Sequence, residues 1–372
     1  MNGLLSSNTD AGSVNGRQIA FFAAFVLPVY KLMETPSILA RFTQGDLLVP
    51  ALVSFLLQAG VLILLLLFIS QSKKTLFERL QDALGKWSAL FYGLYAVYFL
   101  FAAVLPILDL EKFVYAAFYD TPPTLFTFAV FFLFSAYFCI KHTRALGRVA
   151  DISLFLFLFP FLALIIMSLV EADITNLLPF FEKRFSHTVN AVSYTAPHFA
   201  DVALLLPLLG NLRFEKRDGL KIACGYAGGA LCCLLFFAVF YGVYSSIAPR
   251  EHYAFIKIAQ YFPVLSVIGR IDLIFVYMLC IVLFFYVATP LRHVVAFTRA
   301  ATGLKSRVLP SAALNIGVFF FALFCNKYYD SIYLFFGEKL FPLFWIFGVL
   351  LPLCIALLPK EKVSPKKEKN NV

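Results

Sequence analysis

Eight stretches of the chain, at approximately 47–70, 88–108, 121–140, 152–170, 222–249, 273–291, 308–326 and 340–359, contain no Asp, Glu, Lys or Arg. An α-helix needs about 20 predominantly apolar residues to cross the roughly 30 Å hydrocarbon core of a bilayer, and each stretch is close to that length. Two further apolar runs, at about 18–41 and 188–212, are interrupted by charge and proline. The chain is therefore expected to be an all-α integral membrane protein of about ten transmembrane helices. Composition agrees: 61% of residues are hydrophobic, only 14% are charged, and mean hydropathy is +0.85. Soluble domains carry about a quarter charged residues.

The order of the runs carries more. The interrupted ones stand first and sixth, each followed by four clean runs. Transporter folds built from inverted repeats place discontinuous helices at corresponding positions of their halves, with the solute site at the breaks. This predicts a five-plus-five inverted repeat, with segments 18–170 and 188–359 joined by an external linker at 171–187. Residues 1–17 form a polar N-terminal segment without a basic region before an apolar core, so the first run is expected to remain as a span. Residues 360–372 form a basic tail. With the N-terminus inside, the inner segments carry 20 Lys and Arg and the outer ones 8, a bias that predicts cytoplasmic termini. The net charge of +10 reads as this topology signal, and no nucleic-acid partner is expected.

Two stretches outside the runs have helical amphipathic spacing. Residues 73–86 place Leu76, Phe77, Leu80 and Leu84 on one face, predicting an inner interfacial helix, and residues 251–265 predict a second one outside. The seven cysteines lie within apolar runs without a CxxC, which reads as packing rather than disulfide or metal chemistry.

Ionisable groups at membrane depth are costly and mark cavities or ion paths. In the first interrupted run, FVLPVYKLMETPSIL, Pro28 and Pro36 flank Tyr30, Lys31 and Glu34. If that stretch is helical, Lys31 and Glu34 pair at i, i+3 and line a solute cavity, or serve only packing. In the sixth, TAPHFADVALLLPLL, Pro197 and Pro207 flank His198, Phe199 and Asp201. Backbone groups freed at such breaks suit the ends of a zwitterion, and His198 or Asp201 could carry a proton. Tyr98, at i+3 from Tyr95, could close over a solute, although helix packing is the plainer reading. Arg270 and Asp272 in GRIDLIF read mainly as structural. Gly225 and Gly229 form a GxxxG spacing, a close-packing device. No GxxxxGK[ST], HExxH, GxSxG or Cys/His metal spacing occurs, so neither catalysis nor a cofactor is expected.

The ten-run pattern, the proline-marked first break, the PHFADVALLLPLL stretch and GRIDLIF together resemble the spore germination permease family, the B subunits of nutrient germinant receptors. The resemblance spans about Arg17 to Leu358. It implies the amino acid–polyamine–organocation superfamily and its leucine-transporter-like fold. It further implies a spore inner-membrane location, A and C partner subunits, and a small nutrient, an amino acid, as ligand. Members of that superfamily usually carry glycines at the first break. Here the break reads Tyr30-Lys31-Leu32-Met33-Glu34, so Lys31 is expected to take the place of bare backbone against a carboxylate. The alternative is a proton-coupled amino-acid transporter using the same cavity.

Overall fold

The computed structural model describes residues 14–72, 74–118, 124–178, 181–260 and 272–357. The first helix, α1, starts at Gly16–Phe21, passes through a π-helical stretch Phe22–Val26 and ends as Leu27–Lys31; α2 (Thr35–Thr43) resumes the path after a short unwound segment. Then follow α3 (Leu48–Ser70), α4 (Leu76–Leu84), α5 (Ser88–Phe118), α6 (Thr124–Ile140) and α7 (Thr143–Ser168). The second half holds α8 (Phe185–Tyr194), α9 (Asp201–Gly210), α10 (Asp218–Tyr244), α11 (Ala254–Gln260), α12 (Asp272–Thr302), α13 (Val308–Asn326), α14 (Tyr329–Glu338) and α15 (Phe341–Trp345, continuing through Ile346–Leu350 to Leu351–Ala356). All described secondary structure is helical.

Six stretches of the described residues are long and apolar enough to cross a membrane, and two bent pairs raise this to eight. The remaining two of the ten expected runs fall below that length, the first because it is split into α1 and α2, and α6 because it has 17 residues. The bent pairs are α8 with Ala196–Gly210 and α14 with α15, each turning by 54°. The second of these breaks was not expected. The run expected at 340–359 is continuous from Phe341 to Ala356, and the break lies at its start, where Pro342 in the first turn of α15 has no N–H and the helix restarts after Tyr329–Glu338. Lipid-facing positions keep large apolar side chains: Leu133 and Phe155 are each 73% exposed, and Phe324 70%. In a bilayer this surface is solvated rather than stranded.

Longest of the helices, at 31 residues each, α5 and α12 pack along one another through the middle of the bundle. The first helix lies against α10 at Gly225 and Gly229. A Cβ on Gly229 would stand 2.7 Å from the Ala23 carbonyl oxygen, and one on Gly225 would overlap the Ala20 carbonyl. The GxxxG spacing thus seats the broken helix directly on its neighbour's backbone.

Neither amphipathic segment lies free at an interface. A capping box between Thr75 and Glu78 starts α4. Its Leu76, Phe77 and Leu80 are buried in protein, with the Phe77 ring over Gly210 at the end of α9. Arg79 donates to the Phe68 carbonyl at 2.6 Å. The described part of the second segment, α11, buries Ala254, Phe255, Ile256, Ile258 and Ala259. Its first N–H donates to the Met33 carbonyl at 2.9 Å, inside the first break. Where the two segments are described, protein covers the apolar face of each. Arg270 and the Asp272 side chain lie outside the described residues. The end of the bundle bearing Arg17 and the connections 71–87, 141–142, 211–217 and 303–307 is called the basic end below.

Candidate functional site

The first break arises where α1 stops at Lys31 and Leu32–Glu34 unwind before Pro36 opens α2. The Lys31 ammonium turns back to donate to the Leu27 carbonyl at 3.3 Å and reaches the Asp201 Oδ1 at 2.5 Å. Asp201 is the first residue of α9, beyond the second break, where unpaired helix N–H groups favour negative charge. Its Oδ2 accepts from the Tyr226 hydroxyl at 3.0 Å, and the next N–H, of Val202, donates to the Gln58 side chain at 3.0 Å. Lys31 and Asp201 are each only 1% exposed. Phe199 and Phe55 flank the ammonium with ring centres at 5.6 and 6.0 Å, and they meet edge to face. The two broken helices are therefore joined by one buried ion pair.

This corrects the expected Lys31–Glu34 pair. The i, i+3 argument needs a continuous helix, and the chain is unwound between these residues. Glu34 instead meets His252 Nδ1 at 3.1 Å and the Tyr253 N–H at 3.3 Å, on the side away from the basic end.

A second polar cluster lies beside the pair. The Asp109 carboxylate, in α5, accepts from the hydroxyls of Tyr30 at 2.6 Å and Tyr329 at 2.8 Å. The Tyr30 ring is sandwiched between His198 (5.1 Å, 5°) and Tyr286 (5.0 Å, 17°). His198 Nε2 pairs with the Tyr333 hydroxyl at 3.2 Å, while its Nδ1 has no hydrogen-bond partner among the described residues. Tyr30, Lys31, His198, Phe199 and Asp201 thus come together around the two breaks, and Glu34 caps the site on one side. Tyr98 stacks on Phe347 at 4.8 Å, and its buried hydroxyl, unpartnered among the described residues, lies within electrostatic range of Asp201 and Tyr286 without hydrogen-bonding either. Sequence reasoning missed Gln58, Asp109, Tyr226, Tyr286, Tyr329 and Tyr333. Asp109 left a signal, since it ended the second clean run, whereas the helix continues through it.

Residues 49–329 match the family described as "Spore germination protein". The chain belongs to that family. Among solved structures it is similar to a mutant of the Eremococcus coleocola manganese transporter, with a TM-score of 0.57 and 13% identity over 90% of this chain and 78% of that one. At such identity the likeness concerns the fold alone, and it places this spore germination protein in the leucine-transporter-like class; its apolar helices make it a multi-pass membrane protein. A search of curated proteins finds no match. Among the described residues no cluster of three or more His, Cys, Asp or Glu is placed to hold a metal ion.

In this family member the break is held from outside by residues 251–254. Ser37 donates to the Glu251 carbonyl, and Tyr253 adopts a left-handed conformation, φ 56°. Such a conformation is strained for a bulky residue and persists because the Glu34 carboxylate and the Met33 carbonyl fix the N–H groups on either side of it. The hydrogen bond to Glu34 raises His252 above the ordinary histidine range; partial burial opposes this, the Glu34 charge adds to it, and Arg41 and Glu251 act in opposite senses. A raised folded-state pKa stabilises the fold below the ordinary value, and that contribution is lost as pH rises through the raised one. The ring is 61% exposed, so the effect is local and small. Hydrogen exchange corrected for intrinsic rates is expected to show residues 252–256 opening more readily above neutral pH. His252→Gln should flatten that dependence; an unchanged profile in the variant would remove His252 from the clamp.

Proposed function

We propose that this protein is the nutrient-sensing membrane subunit of a spore germinant receptor, in which an amino acid binds between the two broken helices and shifts a conformational equilibrium. The observation that carries this is the Lys31–Asp201 pair. It presents one cation and one anion, each anchored to a different broken helix, in a buried site. An α-amino acid offers the complementary charges: its carboxylate takes Lys31, its ammonium takes Asp201, and the pair is exchanged for two ligand contacts. A ligand that splits the pair binds a rearranged state better than the resting one, which is the requirement for signalling. The protein works without enzymatic chemistry, alongside A and C subunits in the spore inner membrane, with both termini cytoplasmic.

The binding test uses the purified protein and a panel of L-amino acids, each compared with its decarboxylated amine and its deaminated acid. The zwitterion should raise the melting temperature and the two half-molecules should not. An amine or an acid as effective as its parent amino acid would sink the reading. Orientation is checked with a cytoplasm-only reporter fused after Val372 and another in the 173–178 connection; signal from the second alone would reverse it.

Proton-coupled transport is the second reading, supported by the titratable series His252, Glu34, Asp109 and His198 running inward from the side away from the basic end. Liposome uptake driven by a pH gradient would favour it; binding without uptake favours the receptor.

A further inference from the structure

Besides Lys31 and Arg79, the bundle buries Arg292 on α12 near the basic end, and no carboxylate meets it among the described residues. Its Nη2 donates to the Thr143 hydroxyl at 3.1 Å and to the Lys141 carbonyl at 3.5 Å, the limit of a hydrogen bond. Its Nε has no hydrogen-bond partner among the described residues. A buried guanidinium without a counter-charge is unfavourable, because desolvation is not offset by any ion pair.

The guanidinium lines a cavity of about 50 Å³ shared with Phe77, Tyr92, Thr143, Asn211 and Phe297. The Tyr92 hydroxyl, 3% exposed, is also without a hydrogen-bond partner among the described residues. Two buried donors on two different helices thus border one small space. The Asn211 amide is engaged with the Pro207 carbonyl at 3.0 Å, and the Thr143 oxygen accepts from Arg292. The surroundings are electropositive. His142, at the residue preceding α7, is held below the ordinary histidine range by Arg307, then by slight burial, and then by Arg292, Arg299 and Lys141.

We propose that this cavity is a binding site for a small monovalent anion, held by the Arg292 guanidinium and the Tyr92 hydroxyl. Its donors and small size set the class: a cavity of about 50 Å³ offering a guanidinium and a phenol hydroxyl, with the Asn211 amide and the Thr143 oxygen already engaged, suits a small anion such as chloride or formate. The anion completes the two unsatisfied donors and neutralises the buried charge. It also bridges α5, α12 and the α6–α7 junction beneath Phe77 of α4, whose ring lies over Gly210. Binding therefore ties these elements together at the basic end. The proposal stands apart from the amino-acid reading, since its residues are not those of the Lys31–Asp201 site.

The test is thermal unfolding of the purified full chain, with sodium chloride or sodium formate replacing sodium gluconate at constant ionic strength. Gluconate serves as the bulky reference anion. Chloride and formate should each raise the melting temperature saturably. Tyr92→Phe should raise the half-saturating concentration at least about tenfold, as expected for losing one hydrogen bond to a charged group. Arg292→Gln should abolish the effect. If Arg292→Gln does not fold, bromide soaked into crystals of the parent protein supplies the second reading, through its anomalous signal beside Arg292. No difference between chloride, formate and gluconate overturns the proposal. So does an unchanged midpoint in Tyr92→Phe, or bromide absent from that cavity. Amino-acid binding measured in gluconate should be unaffected by Tyr92→Phe, so that failure of one reading is distinguishable from failure of the other.

Discussion

Lys31→Met alone is expected to reduce the folded yield sharply, Asp201→Leu alone to do the same, and the double variant to recover most of the loss. Removing one member of a buried ion pair leaves an uncompensated charge out of water, at a cost of about 3–5 kcal/mol. That is a large share of the roughly 5–15 kcal/mol by which a folded domain is stable. The pair is buried on both sides and joins α1 to α9, so a single deletion also loosens the connection between the two breaks. Replacing both charges with apolar groups removes the desolvation penalty together with the attraction, and such exchanges are often neutral or better. The control is Lys31→Met with Glu34→Leu. Helical spacing suggests that this pair should rescue, and the structure says that it should not, because Glu34 bonds His252 and Tyr253 instead. Size-exclusion yield and melting temperature read the result. A Lys31→Met protein that melts like the parent would show the ammonium reaching water, and rescue by Glu34→Leu in place of Asp201→Leu would return the pairing to the first helix. Under the proposed function the rescued double variant also no longer responds to amino acid.

The contrast between those two pairs shows what a sequence of this kind reveals. Long uncharged runs and paired prolines are local signals, so the helices and the first and sixth breaks were legible from spacing alone. Gly225 and Gly229 were legible as a close-packing device for the same reason. The partner of Lys31 lies 170 residues away, and no local pattern points to it. Periodicity actively misled here, since the i, i+3 rule presumes the helix that the break removes. The segments around α4 and α11 misled differently. An apolar face at helical spacing is the same whether headgroups or neighbouring helices cover it, and only the fold decides. Asp109 was set aside as the end of a run because a charge reads as an interface. Two tyrosine hydroxyls, one of them 220 residues away, satisfy it inside the bundle.

Gly225→Ala and Gly229→Ala are expected to destabilise the protein, by about 1–3 kcal/mol each, while Gly228→Ala on the same helix stabilises it slightly. At Gly225 the new methyl would overlap the backbone of Ala20. At Gly229 it would meet the Ala23 carbonyl oxygen at 2.7 Å, Pro28 Cγ at 3.0 Å and Ala24 Cα at 3.2 Å. These are backbone atoms and a proline ring, with no flexible tip to swing aside, so α1 as a whole must move away from α10. A Cβ at Gly228 meets nothing within 4 Å, and replacing glycine by alanine in a helix interior there should gain up to about 1 kcal/mol. The displacement also reaches the site. Tyr226, which bonds Asp201, adjoins Gly225 on α10, and Lys31 ends the helix that would be pushed off. Melting temperatures of the three single variants decide the matter, with amino-acid binding as a second readout. If all three glycines tolerate alanine equally, the close approach does not position the pair, and the register between α1 and α10 must be set elsewhere along their contact.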